Sequence, residues 1–327
     1  MGGMYAAPYW TGVSPGQALP EQFVVRDDNI RGVRGRAGSW YFGVCRGRGL
    51  RNTFVGGLVT SPIQTHPLLA AFRGAGVDVL VNAKQPNGLW LSEVADLAGL
   101  AQRPDVAAGL GVRYTLQRSL INGWPTPQTS PSPWQVTQVW RAAADGMLGM
   151  VAVQATADAP GVAVLGRIAL GPDAVEAPTD RRAVWQCGPL QVKFFDTFGT
   201  ASAERVPRYA RAPEAWWPGI QLRQDLGPGA KSGQRFVYSA WIGPAGAEPP
   251  IEMRLISQDR GWVATWANGR QVAAIFNPTP ASLKLDVPWS GGTTKQWSKD
   301  GSSQAMPITA GRMTVSLRAG ECVLIEK

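Results

Sequence analysis

Residues 261–278 read GWVATWANGRQVAAIFNP. Two apolar runs flank Asn268-Gly269, a dipeptide suited to the left-handed backbone of a tight hairpin, and the spacing predicts a two-residue type I′ turn. Trp262, Ala264 and Trp266 recur at period two, so they share one face of the first strand. Downstream, ASLKLDVPW (281–289), RMTVSLRAG (312–320) and ECVLIEK (321–327) supply three more strands. Together these predict a compact antiparallel sandwich over residues 251–327, with Glu248-Pro249-Pro250 as the junction before it.

The same texture continues toward the N-terminus. The stretch PWQVTQVWRAAADGMLGMVAVQATADAPGVAVLGRIAL (133–170) holds apolar runs on either side of Asp158-Ala159-Pro160-Gly161, which reads as central strands of a large sheet. RRAVWQCGPLQVKFFDTF (181–198) and QRFVYSAWIG (234–243) continue it. GSWYFGVCRGRGLRNTFVGGL (38–58) reads as strand with bends, and HPLLAAFRG (66–74) and VDVLVNA (77–83) as two further strands. In the last, Val77, Val79 and Val81 share a face. LSEVADLAGLAQRPDVAAGL (91–110) is the one predicted helix, with Ser92 as N-cap and Pro104 closing or kinking it. The segment 122–135, dense in Pro, Ser and Thr, reads as an exposed loop. The expected fold is all-β: an extended segment over 1–30, a large antiparallel sandwich over 31–250, and a small one over 251–327.

Composition agrees. The 327 residues include 39 Gly and 26 Pro, about a fifth of the chain, which favours short strands and turns over helix bundles. Fourteen Trp stand against a single histidine, His66. Indoles fill β-cores and stack on ring-shaped ligands. Histidine is the commonest general base and metal ligand, so a His cluster is excluded by count. No cofactor is expected: no Walker loop, nucleophile elbow or dinucleotide fingerprint occurs. Three widely spaced cysteines (Cys45, Cys187, Cys322) suggest small buried residues rather than a redox pair. No run of about 18 apolar residues predicts a membrane span. No signal peptide is visible at the N-terminus, which leaves localisation open; a trimmed signal would make the chain extracytoplasmic.

The net charge is +9. Its clearest concentration is Arg31, Arg34, Arg36, Arg46, Arg48 and Arg51, interleaved with glycine. No zinc finger, RNA-recognition signature or basic helix points to nucleic acid. An anionic polysaccharide suits the cluster better, since guanidinium grips carboxylate bidentately. A solvated basic face is the competing explanation.

The C-terminal segment carries a family resemblance. Phe276-Asn277, Leu283-Lys284-Leu285 and Leu317-Arg318-Ala319-Gly320-Glu321 resemble the strand grammar of the small C-terminal β-sandwich that closes many glycoside hydrolases and polysaccharide lyases. The preceding region is similar in texture to the β-supersandwich of heparinase-like lyases. That resemblance implies a polysaccharide partner and a lyase or hydrolase, or the β-half of one whose helical half is a separate domain or subunit. The alternative is a non-catalytic glycan-binding or assembly subunit, as in a virion or at a cell surface.

A lyase acting on uronic-acid polymers must neutralise the carboxylate, abstract the adjacent proton and protonate the leaving oxygen. The candidate catalytic residues are His66, Tyr41, Arg51 and Asn52, with Trp40, Arg46, Arg48, Trp216, Trp217 and Arg223 as candidate substrate-binding residues. Each has a structural explanation beside the functional one. His66 fits a hydrogen-bonded loop, Tyr41 fits core packing within Trp40-Tyr41-Phe42, and Trp216-Trp217 fits an edge packed on a neighbouring sheet. The acidic residues are dispersed, without the paired spacing of a glycosidase.

Overall fold

The computed structural model describes residues 22–27, 32–37, 40–45, 58–62, 77–85, 88–104, 106–119, 133–159, 163–169, 175–178, 184–188, 190–207, 216–257, 259–290 and 292–326, with most side chains from Gly99 onward. Within them lie 24 strands, paired antiparallel and arranged in four stacked layers.

The first layer runs β1 (Gln22–Asp27), β2 (Gly32–Ala37), β3 (Trp40–Cys45), β4 (Leu58–Pro62) and β5 (Val77–Gln85), then β10 (Ala163–Ala169), β14 (Trp216–Asp225) and β13 (Thr200–Pro207). The second contains β6 (Gly88–Arg103), β7 (Ala107–Ser119), β8 (Trp134–Ala143), β9 (Gly146–Ala155), β15 (Arg235–Pro244), β12 (Leu190–Asp196) and β11 (Trp185–Cys187). The long β6 joins the two: its start pairs with both β5 and β7, and after two register shifts in the β7 pairing its end pairs with β7 alone on the second-layer side. Such bulges bend a strand from one layer into the next.

Between these layers, Leu110, Val112, Trp134, Val136, Trp140 and Val151 meet Val164, Ile168, Ile220 and Leu222 in one core. The opposite face of the second layer, with Ala101, Ala107, Val139, Leu148, Met150 and Trp241, packs on a third. That layer is β16 (Glu252–Ile256), β17 (Gly261–Thr265), β18 (Gln271–Phe276), β24 (Cys322–Glu326), β20 (Thr294–Trp297) and β21 (Ser303–Met306). It contributes Trp262, Ala264, Trp266, Val272, Phe276 and Leu324. A fourth layer of β19 (Leu283–Pro288), β23 (Arg312–Leu317) and β22 (Ile308–Thr309) covers its other side through Val287, Met313, Val315 and Leu317. Strands sandwiched on both faces are buried at every position, as in β18 and β24. The outermost β23 instead alternates exposed and buried.

Two expectations are corrected. Residues 91–110 are not a helix: they form the β6/β7 hairpin. Helix propensity is overridden by packing, with Ala101, Ala107, Ala108 and Leu110 buried in the cores on either side of the second layer. The small residues that blur the pattern are what the packing requires. A Cβ on Gly99 would lie 2.4 Å from Gly320 O, and one on Gly109 would lie 2.8 Å from Leu324 Cδ2. The second correction concerns the β17/β18 turn. Gly269 has φ +77°, but Asn268 is not in the left-handed region, and Gly269 N donates to Trp266 O. This is a four-residue turn over Trp266–Gly269 with the glycine at the bulge, rather than type I′. Trp262, Ala264 and Trp266 do share one buried face.

The motif that carries the resemblance is structural. The buried Asn277 donates through Nδ2 to Ala281 O at 2.7 Å and Arg318 O at 2.9 Å, while its Oδ1 accepts from Thr279. Glu321 accepts from Arg318 N at 2.7 Å, so Phe276-Asn277 and Leu317–Glu321 lock two turns together. Cys187 and Cys322 are both buried. Burial pushes the Cys322 thiol up to about 12, which leaves it unreactive.

Candidate functional site

Directly paired residues in an antiparallel sheet share a face, so register can be followed across the first layer. Arg223 on β14 pairs with Leu165 on β10, and Leu165 pairs with Asn82 on β5. Asp78, of the same parity as Asn82, pairs with Val59 on β4; Val59 pairs with Gly43 on β3, and Gly43 with Arg34 on β2. Tyr41 and Arg36 form the next pair of this class, and Trp217 has the parity of Arg223. Arg34, Arg36, Tyr41, Asn82, Arg167, Arg223 and Trp217 therefore belong to one face of the layer.

The other register class is apolar. It contains Val77, Val79 and Val81 on β5, paired in part with Ile168, and Ile220 and Leu222 on β14. Ile168, Ile220 and Leu222 lie in the core against the second layer. The polar class thus lies on the face turned away from that core, here the outer face, where Arg223 is 36% exposed and Leu165 and Gln221 are buried. Trp40 and Trp216 belong to the inward class, through the Trp40–Ala37 and Pro207–Trp216 pairs. Of the candidate residues, register brings Tyr41, Trp217 and Arg223 to one face and separates Trp40 and Trp216 from it. His66, Arg46, Arg48, Arg51 and Asn52 lie outside the described residues.

Arg223, 36 % exposed, pairs with the more exposed Asp225 through Nη2 at 2.7 Å and Nε at 2.9 Å. A partner two residues along the same strand orients the guanidinium and leaves it open to solvent, where it remains available to a ligand carboxylate. Arg167 and Asn82 were absent from the candidates read from sequence. Their signal is register: Arg167 is the lone polar residue of its strand, and Asn82 shares the parity of Asp78 and Lys84 on β5.

A second constellation was not anticipated. Arg141 on β8 is fully buried at the junction of the second and third layers. Its Nε donates to Glu326 Oε1 at 2.7 Å and its Nη1 to Asp145 Oδ1 at 2.8 Å. Arg103 reaches Glu326 Oε2 at 2.6 Å, and Arg270 reaches Asp145 Oδ2 at 2.8 Å. Burial by itself disfavours the Arg141 charge, but the Asp145 and Glu326 carboxylates reverse this and raise its affinity for the proton. Burial likewise opposes the charges of Asp145 and Glu326, and the arginines outweigh it, holding both carboxyls below their ordinary range. Sequence alone gave no signal for this network, because Arg141 and Glu326 are 185 residues apart. Among the described residues, no three His, Cys, Asp or Glu side chains converge as metal ligands. Among them, too, no helix is long and apolar enough to cross a membrane.

No family model matches the sequence, and no curated protein matches it. The structure is similar to the crystal structure of a chondroitin lyase, the baculovirus envelope protein ODV-E66, with a TM-score of 0.50 and 9% identity. The match covers 95% of this chain and 55% of that one, so this chain spans about half the length of the lyase. At that identity the likeness is one of fold alone.

Proposed function

We propose that this chain binds an acidic, uronic-acid-containing polysaccharide along the polar face of its first layer and cleaves it by β-elimination. The observation that supports this is the outer register class itself. It joins arginines, a tyrosine, an asparagine and a tryptophan across β2, β3, β5, β10 and β14, in a fold similar to that of a chondroitin lyase. In this reading Arg36 and Arg223 hold sugar carboxylates, Asn82 polarises the reacting one, and Trp217 stacks on a ring. Tyr41, as phenolate, takes the proton from the carbon beside the carboxylate. The freed electron pair forms the carbon–carbon double bond, the neighbouring glycosidic C–O bond breaks, and the leaving oxygen takes a proton. His66, Arg51 and Asn52 are assigned to that proton transfer and to carboxylate binding, and Arg46 and Arg48 to the flanking sugars.

The test is incubation with chondroitin and with a neutral glucan, following the ultraviolet absorbance of unsaturated uronate and, separately, glycan affinity. Tyr41→Phe is expected to abolish product and keep affinity. Product from neither polymer, with no affinity for chondroitin, sinks the proposal. A second reading is favoured by the partial span: a chain matching 55% of a lyase serves as its binding half. Chondroitin affinity without product selects that reading, and the missing chemistry then belongs to a separate helical domain or subunit.

A further inference from the structure

A pocket of about 310 Å³ opens at one end of the junction between the second and third layers, its lining including Arg103, Asn268, Arg270 and Glu326. It is distinct from the outer face, which lies on the far side of the second layer. Every carboxylate oxygen at this junction is already engaged. Both oxygens of Glu326 accept from Arg141 and Arg103, and both of Asp145 accept from Arg141 and Arg270. The guanidiniums carry many more donors than those two carboxylates can accept. Arg141 Nη2 is buried without a partner. Three cations face two anions, three minus two, so the cluster keeps one surplus positive charge.

That surplus reaches the pocket through Arg103 and Arg270, which are 34% and 38% exposed. Both are held in place by indoles. The Arg270 guanidinium lies 4.6 Å from the centre of the Trp266 ring, and Arg103 lies 5.7 Å from that of Trp297. Lys295 approaches the same Trp297 ring at 5.9 Å and adds to the positive rim. Guanidiniums fixed by a carboxylate on one side and a ring on the other lose little freedom on binding a ligand. Glu326 does not spoil the site, because its charge is matched by Arg141 behind it.

We infer that this pocket binds one oxyanion, a carboxylate or sulfate group, between Arg103 and Arg270. The group arrives either as a free inorganic anion or on a sugar of an acidic glycan; the recognising chemistry is the same.

The test is calorimetric titration of inorganic sulfate into the full chain, with ionic strength held constant by chloride. One sulfate per chain is expected. Asn268→Asp is the decisive variant. Asn268 is exposed at the pocket mouth, and its Oδ1 caps Arg270 N at 3.0 Å, a bond that aspartate keeps while adding a negative charge. Sulfate binding is expected to weaken about tenfold or more, with the melting temperature in chloride unchanged. Arg270→Gln weakens it too, but also strips Asp145 of a partner. No heat in the unmodified chain, or equal sulfate affinity in Asn268→Asp, overturns the inference. A sulfated uronate disaccharide distinguishes the sources: displacement of sulfate identifies a glycan group, and failure to displace it identifies a free anion. Asn268→Asp is expected to leave cleavage or binding on the outer face at its original level, so the two readings fail separately.

Discussion

The outer face of the first layer and the junction between the second and third use the same residue types to opposite ends. At the junction, Arg141, Trp262 and Trp266 are closed between two sheets, and the buried indoles find backbone acceptors: Trp262 donates to Val139 O at 3.0 Å and Trp266 to Glu248 O at 3.2 Å. On the outer face, Arg223 keeps a single partner and stays open to water. Arginine and tryptophan are therefore ambiguous by type. The layer they fall in decides whether they hold the fold together or remain free for a ligand.

The sharpest way to break this comparison is Arg141→Met. It leaves Asp145 and Glu326 each short of a buried cationic partner, and about 3–5 kcal/mol of stability should be lost in urea denaturation. A loss of less than about 1 kcal/mol would mean that the junction is wet and resembles the outer face. Trp262→Ala comes next, at about 3 kcal/mol, because it opens a cavity in the junction core and removes the indole donor to the Val139 carbonyl.

Acid should act on the junction selectively. Asp145 and Glu326 are held below their ordinary range when folded, so the unfolded chain binds protons more readily. The stability they contribute is fully present above the ordinary carboxylate range and is lost as pH falls through their lowered values. Denaturation midpoints taken at neutral pH and at about pH 3 should fall more steeply for the unmodified chain than for Glu326→Gln. The smallest effect is expected of Arg223→Gln, within about 0.5 kcal/mol, since an exposed pair contributes little. The same substitution should weaken chondroitin affinity, and it is that pairing of outcomes that marks a ligand-facing arginine.

The C-terminal hairpin was the most legible element, because Trp262, Ala264 and Trp266 alternate cleanly on the strand leading into an Asn-Gly turn. Its detailed geometry was not legible: turn type depends on where Trp266 N and O find partners, and Trp266 N donates to Arg270 O. The β6/β7 hairpin was misread because Ala, Leu and Glu favour helices in isolation. A period-two signal was nevertheless present in Ala107, Gly109 and Gly111. Those small residues admit Leu324 and Phe276 from the third layer, and a Cβ on Gly111 would lie 2.1 Å from Phe276 Cγ. The candidate site was legible as residue types and not as a set. Trp216 and Trp217 are neighbours in sequence, yet their register separates them, and Tyr41 joins Arg223 only through four intervening strand pairings.

What the sequence determined by itself is the all-β class and the presence of a surplus of arginine and tryptophan, because strand alternation, turn chemistry and composition are local properties. Only the tertiary structure decided which of those residues are sealed and which are open. Register across five strands and the stacking of four layers are set by contacts between residues far apart in the chain. Arg141, ordinary in its sequence context, becomes the centre of a buried network because a third sheet closes over it with Glu326 on its last strand.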